Sequence, residues 1–268
     1  MASMTARQAA RSDPMKLLAR LGLAARAIIY LLIGWFALLL AIGKRPPETD
    51  QRGAMQELVR HTGGFVLLWA IAIGLSGYAL WRWSETAFGV VGEGKDWKPR
   101  LQSLVRGIIY AFFAVNAFNL LAHAHSQKSQ AGQSELFTAK AMTHKGGRVV
   151  VGIVGVIIIV VGLALVYEGV TRKFKKYFAL SEMSVGSRRT VWILGTVGTT
   201  ARGAVFALTG YFVLQAAWKY QPQKARGLDG ALRTVADSST GRLLVGVAAF
   251  GLIAFGLYGF AEARWRRT

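Results

Sequence analysis

Six charged residues recur at fixed places in an otherwise apolar sequence. Arg26, Arg106 and Arg202 each precede an aromatic by four residues, in Arg26-Ala-Ile-Ile-Tyr30, Arg106-Gly-Ile-Ile-Tyr110 and Arg202-Gly-Ala-Val-Phe206. Glu85, Glu168 and Glu262 each follow a glycine (Gly64, Gly147 and Gly241) by 21 residues. Guanidinium and carboxylate groups can pair with each other, bind lipid phosphate or relay protons. A charge at the centre of a bilayer costs at least ~2.5 kcal/mol, and less near the interface, where a long side chain reaches water. The two series therefore read as interfacial charge pairs, three equivalent Arg–Glu clamps that orient helices and contact lipid phosphate. A proton or substrate relay is the alternative.

The other reactive residue types form weaker patterns. Four histidines, His61, His123, His125 and His144, fall between apolar runs. A metal site needs three or four converging ligands and a second shell. Few acids lie nearby, and the repeat position of His61 and His144 holds Ser238 in the third copy. Solvated histidines and no metal are expected. Asn119 and Gln215 each lie 13 residues after their arginine, Asn116 is one turn from Asn119, and Leu39 takes this place in the first copy. These intramembrane polar residues are expected to hydrogen-bond between helices, since a pore lining would need counterparts in every copy. There is no cysteine, so disulfides, thiol nucleophiles and thiolate metal sites are excluded. No Ser–His, Asp–Asp or His-x-x-x-His arrangement falls within the runs, and no strand precedes a glycine-rich loop. Neither an enzyme nor a bound cofactor is expected.

What must position the charges is a set of long apolar segments. Runs at 23–43, 65–83, 104–122, 149–167, 202–218 and 243–260 each have the length to cross a ~30 Å hydrocarbon core at ~1.5 Å per residue. The fifth gains apolar character as early as Val191. Although 53% of the chain is apolar, its formal charge is +20. The basic residues flank the runs and form no separate domain, which argues against nucleic acid as a partner and for anionic lipid head groups. The first run is long for a signal core and lacks a small-x-small cleavage pattern, so it reads as a retained span. Placing both termini in the cytoplasm puts 20 of the 33 Lys and Arg on that side, the sense of the positive-inside rule. Trp81, Trp83, Trp192, Trp218 and Trp265 lie near span ends, as interfacial indoles do. No connection is long enough for a catalytic domain.

Self-comparison divides the chain into a tail at 1–16 and three two-span repeats at 17–100, 101–190 and 191–268. The connection inside each repeat carries apolar residues on one helical face: Met55, Leu58 and Val59; Phe137 and Ala141; Leu232, Val235 and Ala236. These predict short amphipathic surface helices, stopped by Gly63-Gly64, Gly146-Gly147 and Gly241. Glycine and alanine stripes (Gly155, Gly162 and Gly169; Ala70, Gly74 and Gly77; Ala249 and Gly256) predict close helix contacts in the bundle interior. Two crossings per repeat mean that every copy enters from one side, so the copies are related about the membrane normal.

The Arg-x-x-x-Tyr start, the glycine-initiated second helix with Gly74-Leu75-Ser76-Gly77-Tyr78, and the three-fold count resemble the uncharacterised bacterial membrane proteins built from three copies of domain of unknown function 1206. The resemblance spans roughly residues 17–265. The third copy has Phe206 for tyrosine, and the second lacks the Gly-Tyr pair. The resemblance implies two transmembrane helices per copy and a bacterial inner-membrane location, and no activity. The expected fold is an all-α bundle of six spans with surface helices. The expected role is a structural or accessory membrane protein acting through lipid or partner contacts. A small transporter or channel along the three-fold axis is the alternative.

Overall fold

The structure is a computed structural model, and it describes residues 13–46, 48–61, 63–89, 96–122, 138–143, 146–219 and 227–267. Six helices are long and apolar enough to cross a membrane: α1 (Asp13–Ala41), α3 (Gly64–Phe88), α4 (Trp97–Ala122), α5 (Gly147–Thr171), α6 (Val185–Lys219) and α8 (Ser239–Trp265). Two shorter ones, α2 (Gln51–Arg60) and α7 (Gly227–Ala236), are the expected surface helices. No strand forms among the described residues, apart from one isolated antiparallel bridge between Phe178 and Arg266. This is a multi-pass membrane protein with an all-α fold. The helices extend past the apolar runs at their charged ends, most of all α6, which starts 17 residues before Arg202.

The surface helices form for the reasons their sequences give. Asp50 caps α2, its carboxylate accepting the Gly53 N–H at 2.8 Å, and α2 buries Ala54, Met55 and Leu58. Helix α7 buries Ala231, Leu232 and Ala236. In the second repeat, residues 138–142 are helical, and Phe137 lies outside the described residues. Each surface helix turns back through the same device. A Cβ on Gly64, Gly147 or Gly241 would collide with the carbonyl oxygen of Leu58, Ala141 or Val235, respectively. The residue before the turn differs, however. Gly63 and Gly146 adopt the left-handed conformation, with φ of 81° and 83°, whereas in the third repeat Ser238 caps α8 by accepting the Gly241 N–H at 3.0 Å.

The six long helices form a ring in the order α1, α3, α4, α5, α6, α8. Its most extensive seams join the second helix of one repeat to the first helix of the next: α3 with α4, α5 with α6, and α8 with α1. The α5/α6 seam is backbone against backbone. A Cβ at Gly155 would stand 2.7 Å from the Leu214 nitrogen, and one at Gly203 would stand 2.6 Å from the Val166 nitrogen. The α8/α1 seam is similar, with Gly34 against Ile253 and Gly256 against Leu31. Within repeats, α1 packs on α3 and α6 on α8, but α4 and α5 barely meet. Among the described residues, the ring is therefore open on one side. The expected stripes make seams, with one correction: Ala70 is exposed, because the α3 face that meets α1 runs through Gly74 and Gly77.

Both ends of the bundle are tied. On the termini side, the α5–α6 connection folds beneath the ring as a short 3-10 turn (Lys173–Tyr177). The Ala179 N–H donates to Trp265 O and the Arg267 N–H to Tyr177 O, both at 2.9 Å, and Phe174 and Phe178 are buried. On the opposite side, the Thr49 N–H donates to Asp229 at 2.8 Å, and Arg233 bonds Asp229 and the Pro46 carbonyl, linking the first repeat to the third. Burial pushes the neighbouring Asp50 carboxyl up to about 7, with Glu48 and Asp229 adding to the rise and the backbone hydrogen bonds from Gly53 and Arg52 opposing it.

Candidate functional site

Inside the ring, a cavity of about 60 Å³ collects charged and aromatic residues from every long helix. Arg26 comes from α1, Tyr78 from α3, Arg106 and Tyr110 from α4, Glu168 from α5, Thr199 and Arg202 from α6, and Phe255, Tyr258 and Glu262 from α8. Arg266, Phe174 and Tyr177 close it on the termini side. The volume has room for roughly two waters at liquid density. The three repeat arginines share this one cavity, so they lie at one level. On α6 that level is ~25 Å from the helix start, at 1.5 Å per residue, whereas on α5 and α8 Glu168 and Glu262 stand within the last turn.

One Arg–Glu pair is complete. Arg26 donates to one carboxylate oxygen of Glu262, and Arg266 donates to the other at 2.5 Å. All three side chains are buried. The Phe255 ring lies 5.3 Å from the Arg26 guanidinium carbon. A second cluster lies at the α3/α4 seam and touches the cavity lining through Tyr78. Arg82 donates to Glu85 at 2.6 Å and to the Tyr78 hydroxyl at 2.6 and 3.0 Å, while Ser103 on α4 donates to Glu85 at 2.8 Å. Arg82 also lies 4.3 Å from the Trp81 ring.

The remaining charges are unmatched. Among the described residues, Arg106, Arg202 and Glu168 make no hydrogen bond or ion pair. The Nε of Arg202 is buried without a partner. The Arg202 guanidinium carbon is 4.8 Å from the Phe255 ring centre and 5.2 Å from those of Tyr30 and Phe206. Such contacts stabilise the cation but leave its N–H edge free to donate.

This arrangement corrects the expectation of three equivalent interfacial clamps. The seams pair the second helix of one repeat with the first helix of the next, so each arginine faces the glutamate of the preceding repeat around the ring. Arg26 meets Glu262 in this way. Arg106 does not meet Glu85, because Arg82 and Ser103 already hold that carboxylate. Only the first repeat has an arginine three residues before its glutamate; the others have Leu165 and Gly259. Arg202 faces aromatic rings instead of pairing with Glu168. Among the intramembrane polar residues, Asn116 differs from the expected bonding between helices. Asn116 donates to the Phe112 carbonyl of its own helix at 2.8 Å. Asn119 is exposed and Gln215 half-buried, and neither lines the cavity. Of the histidines, His61 is exposed beside Glu57 at 3.1 Å, and His123, His125 and His144 lie outside the described residues.

Comparison with known proteins follows the same three-fold division. A family model described as Domain of Unknown Function (DUF1206) matches three times, at residues 21–89, 101–172 and 197–266. The chain belongs to the DUF1206 family. Each DUF1206 copy holds one arginine and one glutamate of the two series. The chain is also 29% identical over 244 residues to a relative named uncharacterized protein YxxB from Bacillus subtilis (strain 168), a match covering 91% of this chain and 88% of the relative. No solved structure matches it.

Several site residues are not repeated across the DUF1206 copies, so self-comparison misses them. Arg82 sits between Trp81 and Trp83, where it reads as part of an interfacial belt; in fact Trp81 is buried beneath it. Arg266 lies past the last span, four residues after Glu262, a helical spacing that does signal pairing. Tyr110 is visible only as the aromatic that follows Arg106.

Proposed function

We propose that this protein is a non-catalytic accessory protein of the bacterial inner membrane, with both termini in the cytoplasm, that acts by holding an anionic membrane lipid. One observation carries this reading: four arginines line the cavity and only two glutamates accompany them. An unpaired charge buried in low dielectric costs several kcal/mol, and a bound anion would offset that cost. The basic residues concentrated on the termini side favour a cytoplasmic face and anionic head groups there. Nucleic acid has no comparable surface to bind, since the basic residues flank spans.

A transporter with a path along the three-fold axis draws less support. Phe174 and Tyr177 cover the cavity on the termini side, and buried Ile33, Phe36 and Ala37 continue α1 as apolar core beyond it. Native mass spectrometry of protein extracted in mild detergent tests the choice. The expected result is retained anionic phospholipid, with no phosphate efflux from proteoliposomes. Protein that emerges lipid-free and carries phosphate across the bilayer would reverse it.

A further inference from the structure

We propose that the cavity takes the phosphodiester head group of a membrane lipid, which enters sideways between α4 and α5 and is held by Arg106 and Arg202. This rests on the lipid-holding reading above and gives it a site, a charge and a route.

The charge follows from the pairings. Glu262 is satisfied by Arg26 and Arg266. Arg106, Arg202 and Glu168 remain, with no ion pair among the described residues, and the whole lining of four arginines and two glutamates carries a net charge of +2. A singly charged phosphodiester halves this surplus, and a dianion would cancel it, so the response to inorganic phosphate separates the two. Guanidinium N–H groups match phosphate oxygens in geometry and in charge-assisted bonding. The unpartnered Nε of Arg202 is a buried donor in the cavity wall. A cavity of about 60 Å³ has room for a phosphate group alone, leaving the rest of the lipid, acyl chains included, outside.

The route follows from the ring. Every other neighbouring pair of long helices is packed together, while α4 and α5 barely meet. The cavity wall includes Arg106 and Tyr110 on one side of this opening and Leu165 and Glu168 on the other. Ile108 and Phe112 on α4, with Val160 and Leu163 on α5, present exposed apolar surface suited to acyl chains.

The test uses the full chain and three probes: phosphatidylglycerol vesicles, phosphatidylcholine vesicles and inorganic phosphate. Phosphatidylglycerol is expected to raise the thermal midpoint of the wild-type protein by several degrees, with the other two giving little. Arg106→Gln and Arg202→Gln are each expected to raise the lipid-free midpoint slightly, because an unpaired, half-buried charge is removed, and to abolish most of the phosphatidylglycerol shift. Leu165→Trp narrows the opening and the cavity wall together and should lower both the rate and the final amount of lipid taken up. An undiminished shift in both glutamine variants would overturn the site while leaving lipid holding intact. A response to inorganic phosphate alone would overturn lipid holding and the sideways route together. Equal responses to both lipids would overturn head-group recognition. Failure of both glutamine variants to fold would show that the arginines serve structure, against the proposal. Unchanged uptake in Leu165→Trp would overturn the route.

Discussion

The two flanks of α5 differ more than any other pair of helix faces in the molecule. One is sealed against α6 by glycines spaced seven residues apart, which bring the two backbones together. The other meets α4 hardly at all. Both faces are apolar, so hydrophobicity does not separate them, as expected where lipid is as apolar as the side chains it replaces. Fit decides instead. Helix α4 has a single glycine, Gly107, which packs on Trp83 of α3. The open flank also holds Glu168, which makes no ion pair among the described residues, while Glu262, its repeat counterpart, is held by two arginines.

The largest effect should come from breaking the satisfied side. Glu262→Gln leaves Arg26 and Arg266 without their carboxylate, and losing one partner of a buried ion pair costs about 3–5 kcal/mol. Glu168→Gln removes no pair and should stay within about 1 kcal/mol of wild type. Denaturant unfolding in detergent compares them, and equal losses would show that the two glutamates are equivalent after all. Exchanging the charges of Arg26 and Glu262 together should recover part of what either change alone loses.

A smaller contrast lies along the sealed flank. Gly162→Val sets side-chain atoms against backbone, since a Cβ there would already stand 2.7 Å from the Gly203 carbonyl oxygen. Overpacking of this kind costs about 1–3 kcal/mol. Gly152→Ala, whose nearest neighbour would be 3.8 Å away, should be close to neutral. Thermal midpoints measured side by side would show whether the seam depends on backbone approach.

An effect of another kind is a pH slope at the contact between the first and third repeats. The Asp50 carboxyl titrates near 7 in the folded protein against an ordinary 3.8. The folded state therefore keeps a proton that the unfolded chain releases, and this stabilisation is fully present below pH 4 and lost as pH rises through 7. Asp50→Asn keeps an acceptor for the Gly53 N–H and never ionises. Its unfolding midpoint should stay flatter than wild type between pH 4 and 8; parallel curves would remove Asp50 from the account.

Much of this architecture can be read from the residues alone. Span length follows from apolar runs, the surface helices from Met55, Leu58 and Leu232 on one face, and the tight seam from the period of Gly155, Gly162 and Gly169. Neighbours around the ring cannot be read that way, because lipid-facing and helix-facing apolar residues look alike. The pairing of Arg26 with Glu262, 236 residues apart, depends on that order. Arg82 is hidden for another reason: it breaks the repeat, and its neighbouring tryptophans suggest a surface it does not occupy.

If the open flank admits a lipid phosphate to Arg106 and Arg202, a high-resolution structure in phosphatidylglycerol nanodiscs should show it. The expected density is a phosphate within hydrogen-bonding distance of both guanidinium groups, with acyl chains between α4 and α5. A closed α4/α5 interface, or a cavity holding only water with Glu168 paired to Arg106, would contradict it.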